Sequence, residues 1–232
     1  MEQTKFFAEV ATLLHSQTSV ESTVELIAQL GGEALGCMDT GVLKVGPQFE
    51  IKKLAATSDL VSTDVHAHIS TGESPSIDVI RKSQPAISFD TAKDQTYPRW
   101  GRFVAEFGLR SVLCVPLATV DHVYGSLNFY GETINAFCQG DLNHVNLFAR
   151  HAALAWDAVH KRTNLQLAVE THEIVGQAQG ILMERYKMDA DRAFDYLRRQ
   201  SEHQNIKLRK VAEGVVANIS EVFPPSAGGK PL

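Results

Sequence analysis

Over residues 4–35 the apolar residues recur every three to four places, the spacing of a helix with one buried face. Thr4 to Leu14 and Ser22 to Leu35 are expected helices, the second turning Val24, Ile27, Ala28, Leu30, Ala34 and Leu35 inward and ending at Gly36. The period then shortens. Gly41 to Val45 and Phe49 to Ala56 read as short strands joined into a hairpin by Gly46-Pro47. Helical spacing returns from Leu60 to Ser83, interrupted at Gly72 to Pro75, and Ala86 to Phe89 is a further strand. A polar loop from Asp90 to Pro98 leads to an amphipathic helix, Arg99 to Phe107, with Gly108 at its end. Two β-rich runs, Ser111 to Ala118 and His122 to Tyr130, bracket Val120-Asp121 as an antiparallel hairpin. Pro116 points to an edge or a bulge, and Gly125 to a bulge or a close backbone approach.

From Asp141 to about Leu182 the chain reads as nearly continuous helix, without proline and with its first glycine at Gly176. It carries two stripes. Leu142, Val145, Ala149, Ala152, Trp156 and Val159 should pack on the sheet, whereas Leu147, Leu154, Ala158, Leu165, Ala168 and Val175 run along another face. A second copy in a parallel coiled coil is the simplest cover for that seam, so a homodimer is expected. Lys161, His151 and His172 fall on or near the seam. Beyond it, Asp189 caps a helix with Ala193, Phe194 and Leu197 on one stripe, and Asn205 is expected to cap another with Leu208, Val211, Ala212, Val215 and Ile219 inward.

Composition adds class and compartment. A chain of 232 residues suggests two domains, and 44% hydrophobic with 21% charged residues is ordinary for a globular protein. No apolar run nears the roughly 20 residues of a membrane-spanning helix. Met1 to Ala8 lacks a basic segment followed by an apolar one, so a cytoplasmic protein with no membrane partner is expected. Cys37, Cys114 and Cys138 are far apart and odd in number, and His66, His68, His144 and His151 form no ligand spacing. Neither a disulfide framework nor a metal or cofactor site is expected. The net charge of −5 divides unevenly, with 11 basic against 18 acidic residues through His160 and 11 against 9 after it.

The end of the chain resembles a known module. Gln177-Ala178-Gln179-Gly180-Ile181-Leu182-Met183, then Asp189, Ala193-Phe194, Leu197-Arg198 and Val211-Ala212, is similar in order and spacing to the ANTAR domain. The resemblance implies a three-helix bundle that binds RNA hairpins and promotes transcription antitermination. Its RNA face would lie around Ala193, Phe194 and Arg198, joined by Arg199, with Arg192, Lys207, Arg209 and Lys210 drawing in phosphate. The chain departs from the family at His172 or Glu173, where a basic residue is common, at Gln179 in place of a lysine, and around Ser201-Glu202.

A second resemblance covers most of the remainder. Gly108 to Leu117, Tyr124 to Tyr130, then Phe137 and Asp141 before a long helix are similar to a GAF domain. That family implies an antiparallel sheet flanked by helices, which in many members holds a small molecule over one sheet face or dimerises. A pocket ringed by Asp90, Tyr97, Trp100, Arg102, Phe103, Cys114 and Asn128 would suit a small ligand. The expected architecture is therefore α+β: a GAF-like sheet joined by a long coiled-coil helix to a small three-helix bundle. Its expected parts are an N-terminal helix at 1–18, a sensor domain at 19–160, the ANTAR domain at 161–222 and a flexible tail at 223–232.

Three function classes follow. The first is a sensory antiterminator without covalent chemistry, whose GAF domain reads a small molecule or a regulatory protein. The second is a protein-interaction regulator with a degenerate ANTAR domain, which the departures at His172 and Gln179 favour. The third is a methionine sulfoxide reductase, which would need thiols converging in a pocket.

Overall fold

The computed structural model describes residues 2–37, 39–45 and 51–217. Contacts divide the chain into two units, Met1–Lys161 and Arg162–Leu232. The first contains α1 (Glu2–His15), α2 (Val20–Leu35), β1 (Asp39–Val45), β2 (Ile51–Ala56), α3 (Leu60–Thr71), α4 (Pro75–Lys82), β3 (Ala86–Ser88), α5 (Pro98–Glu106), β4 (Ser111–Ala118) and β5 (Val123–Gly131). The long helix α6 (Gln139–Tyr186) begins in this unit and ends in the second, followed by α7 (Ala190–Gln204) and α8 (Leu208–Ala217). The Gly46-Pro47 turn, Ile219 and the tail expected at 223–232 lie outside the described residues.

Local chemistry sets most boundaries. Ser19 accepts from the Ser22 N–H to start α2, and Gly36 ends it in the left-handed region at φ 62°. Ser74 caps α4, whose first residue, Pro75, lacks only an N–H that would have no partner there. Asp189 accepts from the Arg192 N–H at 2.8 Å to start α7. Asn205 corrects the sequence reading: it caps the end of α7 at φ 51° rather than the start of α8. Asparagine tolerates the left-handed conformation, so it serves a C-terminus as readily as an N-terminus.

The five strands form one antiparallel sheet in the order β2-β1-β5-β4-β3. Period-two alternation divides its side chains between two layers. Val42, Leu113, Val115, Leu117, Leu127 and Phe129 pack with α1, α2 and the first part of α6. Val145, Ala149, Ala152 and Trp156 of α6 enter this layer as their spacing requires. On the other face, Leu43, Val112, Cys114 and Tyr130 meet α3, α4 and α5 through residues such as Val61, Val79 and Trp100. Burying each large apolar side chain contributes about 1.5–3 kcal/mol before conformational entropy is subtracted.

Both irregular residues of the hairpin are accounted for. Pro116 lies beyond the Ala86–Cys114 pair that ends the β3–β4 register, so its missing N–H costs no hydrogen bond on that side. At Gly125 the β4–β5 register shifts, and a Cβ there would stand 2.2 Å from the Leu43 carbonyl oxygen. Bulge and close approach therefore coincide.

The second unit has its own core. Val175, Ala178 and Leu182 of α6 pack with Ala193 and Leu197 of α7 and Ala212 of α8. Met188, Leu208, Val211 and Val215 flank them.

Candidate functional site

On the sheet face covered by α3, α4 and α5, strand alternation places Cys114, Asn128 and Tyr130 beneath the helices. Asp64 stands between Val61 and Ala67 on the buried stripe of α3, where the helical period calls for an apolar residue. It is fully buried and takes three hydrogen bonds, from Trp100 Nε1, Tyr130 OH and Ser76 Oγ, each at 2.9 Å. Burial pushes its carboxyl pKa up, against those three donors and the attraction of His68. Ser76 Oγ also lies 3.8 Å from Cys114 Sγ.

Glu73, between α3 and α4, accepts from the backbone N–H groups of Arg99 and Trp100 at 2.9 and 3.2 Å and pairs with Arg99 Nε at 3.4 Å. A carboxylate there caps α5 and holds Trp100 over Asp64.

The expected pocket residues do not all converge. Trp100, Cys114 and Asn128 belong to this buried cluster. Tyr97 lies edge-on to Trp100 at 6.2 Å and donates to Asp78 at 3.2 Å. Phe103, like Tyr97, packs against the cluster from its edge and also contacts Phe107. Asp90 instead bonds Arg110 at 3.3 Å: burial alone would raise its carboxyl, but Arg110 and Lys93 outweigh it and hold the pKa low. Arg102 is exposed and donates to the Pro98 carbonyl. Sequence reasoning missed Asp64, Ser76 and Tyr130. The acidic residue on the α3 apolar stripe was the signal available.

Cys114 and Cys37 pack in opposite layers of the sheet, and Cys138 is exposed. Burial, reinforced by Asp64, drives the Cys114 thiol well above its usual pKa. No convergent, activated pair of thiols exists among the described residues.

In the C-terminal bundle the candidate RNA residues separate. Ala193 is buried, so it shapes the surface without forming it, whereas Phe194 is 39% exposed. Helical geometry puts Phe194 and Arg198 on one side of the buried Ala193–Leu197 stripe and Arg192 and Arg199 on the other. Carboxylates occupy several of the cations. Arg198 pairs with Asp195 at 3.1 Å, Arg192 with Asp189 at 3.6 Å and Lys210 with Glu213 at 2.8 Å. Arg209 is clamped between Glu170 and Glu213 at 3.2 and 2.9 Å, which ties α8 to α6. Arg199 and Lys207 make no ion pair among the described residues. Gln179, one of the departures from the ANTAR pattern, donates to the Ala190 carbonyl at 3.2 Å and joins α6 to the start of α7.

Of the expected seam, Leu147, Leu154 and Leu165 are 47%, 54% and 69% exposed, and Ala158 and Ala168 are exposed as well. Val175 does not belong to it. At 6% exposure Val175 is in the bundle core, because the heptad stripe rotates relative to a straight helix and meets α7 and α8 there. Leu147 and Leu154 line a groove of about 840 Å³ with Pro116, Val120, Asn146 and Arg150. Near this groove Tyr124 donates to Asp157, which Lys161 also reaches at 2.8 Å.

Comparison with known proteins places this geometry. The family model described as "ANTAR domain" matches residues 163–216, and that described as "GAF domain" matches 17–157. No curated protein matches the chain. Among solved structures, the cyanobacteriochrome TePixJ GAF domain is similar at TM-score 0.51 and 16% identity, covering 63% of this chain and 94% of that one. A domain of a putative two-component sensor histidine kinase from Sinorhizobium meliloti 1021 gives TM-score 0.52 at 14% identity, covering 65% and 99%. The GAF domain of an Acinetobacter phosphoenolpyruvate-protein phosphotransferase gives 0.52 at 12%, covering 69% and 95%. At these identities the structural likeness speaks for the fold alone. With the GAF match spanning more than half its length and an ANTAR domain following, the chain belongs to the GAF domain family and is a GAF–ANTAR signalling protein.

Proposed function

We propose that the protein is a cytoplasmic, signal-responsive RNA-binding regulator that promotes transcription antitermination by capturing RNA hairpins. The observation that carries this reading is the ANTAR match over 163–216, on a bundle that presents Phe194 beside Arg198 on α7. An exposed aromatic next to a guanidinium suits unstacked loop bases, on which either can stack. Arg199 and Lys207 add phosphate attraction that weakens with salt. We take 19–160 as the sensor and 161–222 as the RNA module. A small molecule or regulatory protein at the sensor would change how two copies pair along the exposed Leu147, Leu154 and Leu165 stripe, and so change how paired bundles hold RNA. No step requires covalent chemistry.

Arg198→Ala should weaken hairpin binding about tenfold, equivalent to about 1.4 kcal/mol, while leaving helical content intact. Gel shifts across a salt series measure it, and unchanged affinity would count against this face. A second reading, a protein-interaction regulator, is favoured by the pairing of Arg192, Arg198, Arg209 and Lys210 with carboxylates.

A further inference from the structure

The buried cluster around Asp64 has unused hydrogen-bonding capacity. Asn128 interacts with the Tyr130 hydroxyl, but neither Nδ2 nor Oδ1 of its amide reaches full hydrogen-bond geometry with a described residue, and Ser126 Oγ also lacks a partner. Both residues are fully buried, two positions apart on the same face of β5, so both face the α3–α5 layer. A polar side chain held out of water without a partner is costly, and a paired unsatisfied amide and hydroxyl mark a place built to meet another polar group. The neighbouring charge defines what that group is. Asp64 makes no ion pair among the described residues; its three hydrogen-bond donors, Trp100, Tyr130 and Ser76, are all neutral. His68, one turn along α3, faces the Glu73 carbonyl at 3.4 Å.

We infer that this face of the GAF domain takes a small organic cation bearing N–H groups, of ammonium or amidinium type. This rests on the reading of the domain as a small-molecule sensor and names the chemistry of its ligand. Asp64, Asn128 Oδ1 and Ser126 Oγ are acceptors for its N–H groups. An anion would be repelled by an ionised Asp64, and a neutral molecule would add nothing to the weaker attraction of His68. Binding requires α4 to shift from the sheet. The Glu73 clasp on α5, which sits at the α3–α4 junction, is placed to register that shift.

Three molecules of nearly one shape and different charge test this directly: acetamidinium, acetamide and acetate. In ¹H–¹⁵N spectra of the full chain, the two tryptophans give two indole N–H signals, and Trp100→Phe assigns the one bonded to Asp64. Acetamidinium should move the Trp100 signal saturably, with acetamide and acetate at least about tenfold weaker at equal ionic strength. Asp64→Asn should weaken the response about tenfold or more. If that variant fails to fold, Asn128→Leu, which removes two unpaired polar atoms from the interior, should abolish it in a folded chain. A preference for acetate or acetamide would overturn the cation while leaving small-molecule sensing standing. Silence from all three, or a response unchanged in both variants, would overturn the inference, whereas hairpin affinity measured on the same samples tests the RNA reading separately.

Discussion

Leu182→Ala probes whether the second unit is a self-supporting bundle whose surface depends on a small core. Leu182 is fully buried among Val175, Ala178, Ala193, Leu197 and Ala212, four of which are small or β-branched and cannot swell to fill a void. Truncating such a leucine costs about 3–5 kcal/mol, made up of lost transfer energy and the cavity left behind. A module of 54 matched residues has a total stability of about 3–8 kcal/mol. The substitution thus removes from about a third to all of the reserve and raises the unfolded population of the bundle about a hundredfold or more. Hydrogen exchange of the full chain is the assay. Amide protection in α7 and α8 should collapse, protection in β1, β4 and β5 should persist, and hairpin binding should fall with the bundle. Leu167→Ala, at a site 50% exposed and outside the seam, is the control and should change stability by no more than about 0.5 kcal/mol. Protection in α7 and α8 that survives Leu182→Ala would contradict a self-supporting bundle core, as would equal loss in the sheet.

Two further predictions concern the sensor and the seam. Asp64 binds its proton more tightly folded than unfolded, so its contribution to stability is present below about pH 3.9 and is lost as pH rises through the folded pKa. Denaturant titrations should show the stability of the wild type relative to Asp64→Asn falling as pH rises; a difference that is constant or grows would contradict the raised pKa. For the seam, Leu154→Glu with Leu165→Glu should convert a dimer to a monomer in sizing with light scattering and make melting independent of protein concentration. A monodisperse wild-type monomer at micromolar concentration would remove the dimer from the mechanism.

The sheet and its helices were legible because period-two and period-3.6 apolar patterns report burial directly, as in Leu113, Val115 and Leu117 facing Val145, Ala149 and Trp156. Caps were legible where one residue type suits one end, as at Gly36 and Asp189. They failed at Asn205, whose side chain suits both ends. Val175 fitted the heptad seam yet packs in the bundle, because one helix face serves different neighbours along its length. The site was harder to read. Asp64, Ser76 and Tyr130 come from three separate elements, and only the fold brings them to Trp100. On the candidate RNA surface, helical geometry places Arg192 and Arg198 on opposite sides of a core stripe, although six positions in sequence make them look like one basic run. Gln179 reads as a lost charge in the sequence and as a tether between helices in the structure.

RNA binding by the C-terminal bundle is the step on which the proposed function depends. Crosslinking the protein in cells and identifying what is covalently recovered tests it most directly. RNA fragments containing hairpins should be recovered, attached to peptides of α7 around Phe194 and Arg198 and diminished by Arg198→Ala. Recovery of protein partners at that surface, with no RNA above background, would contradict it.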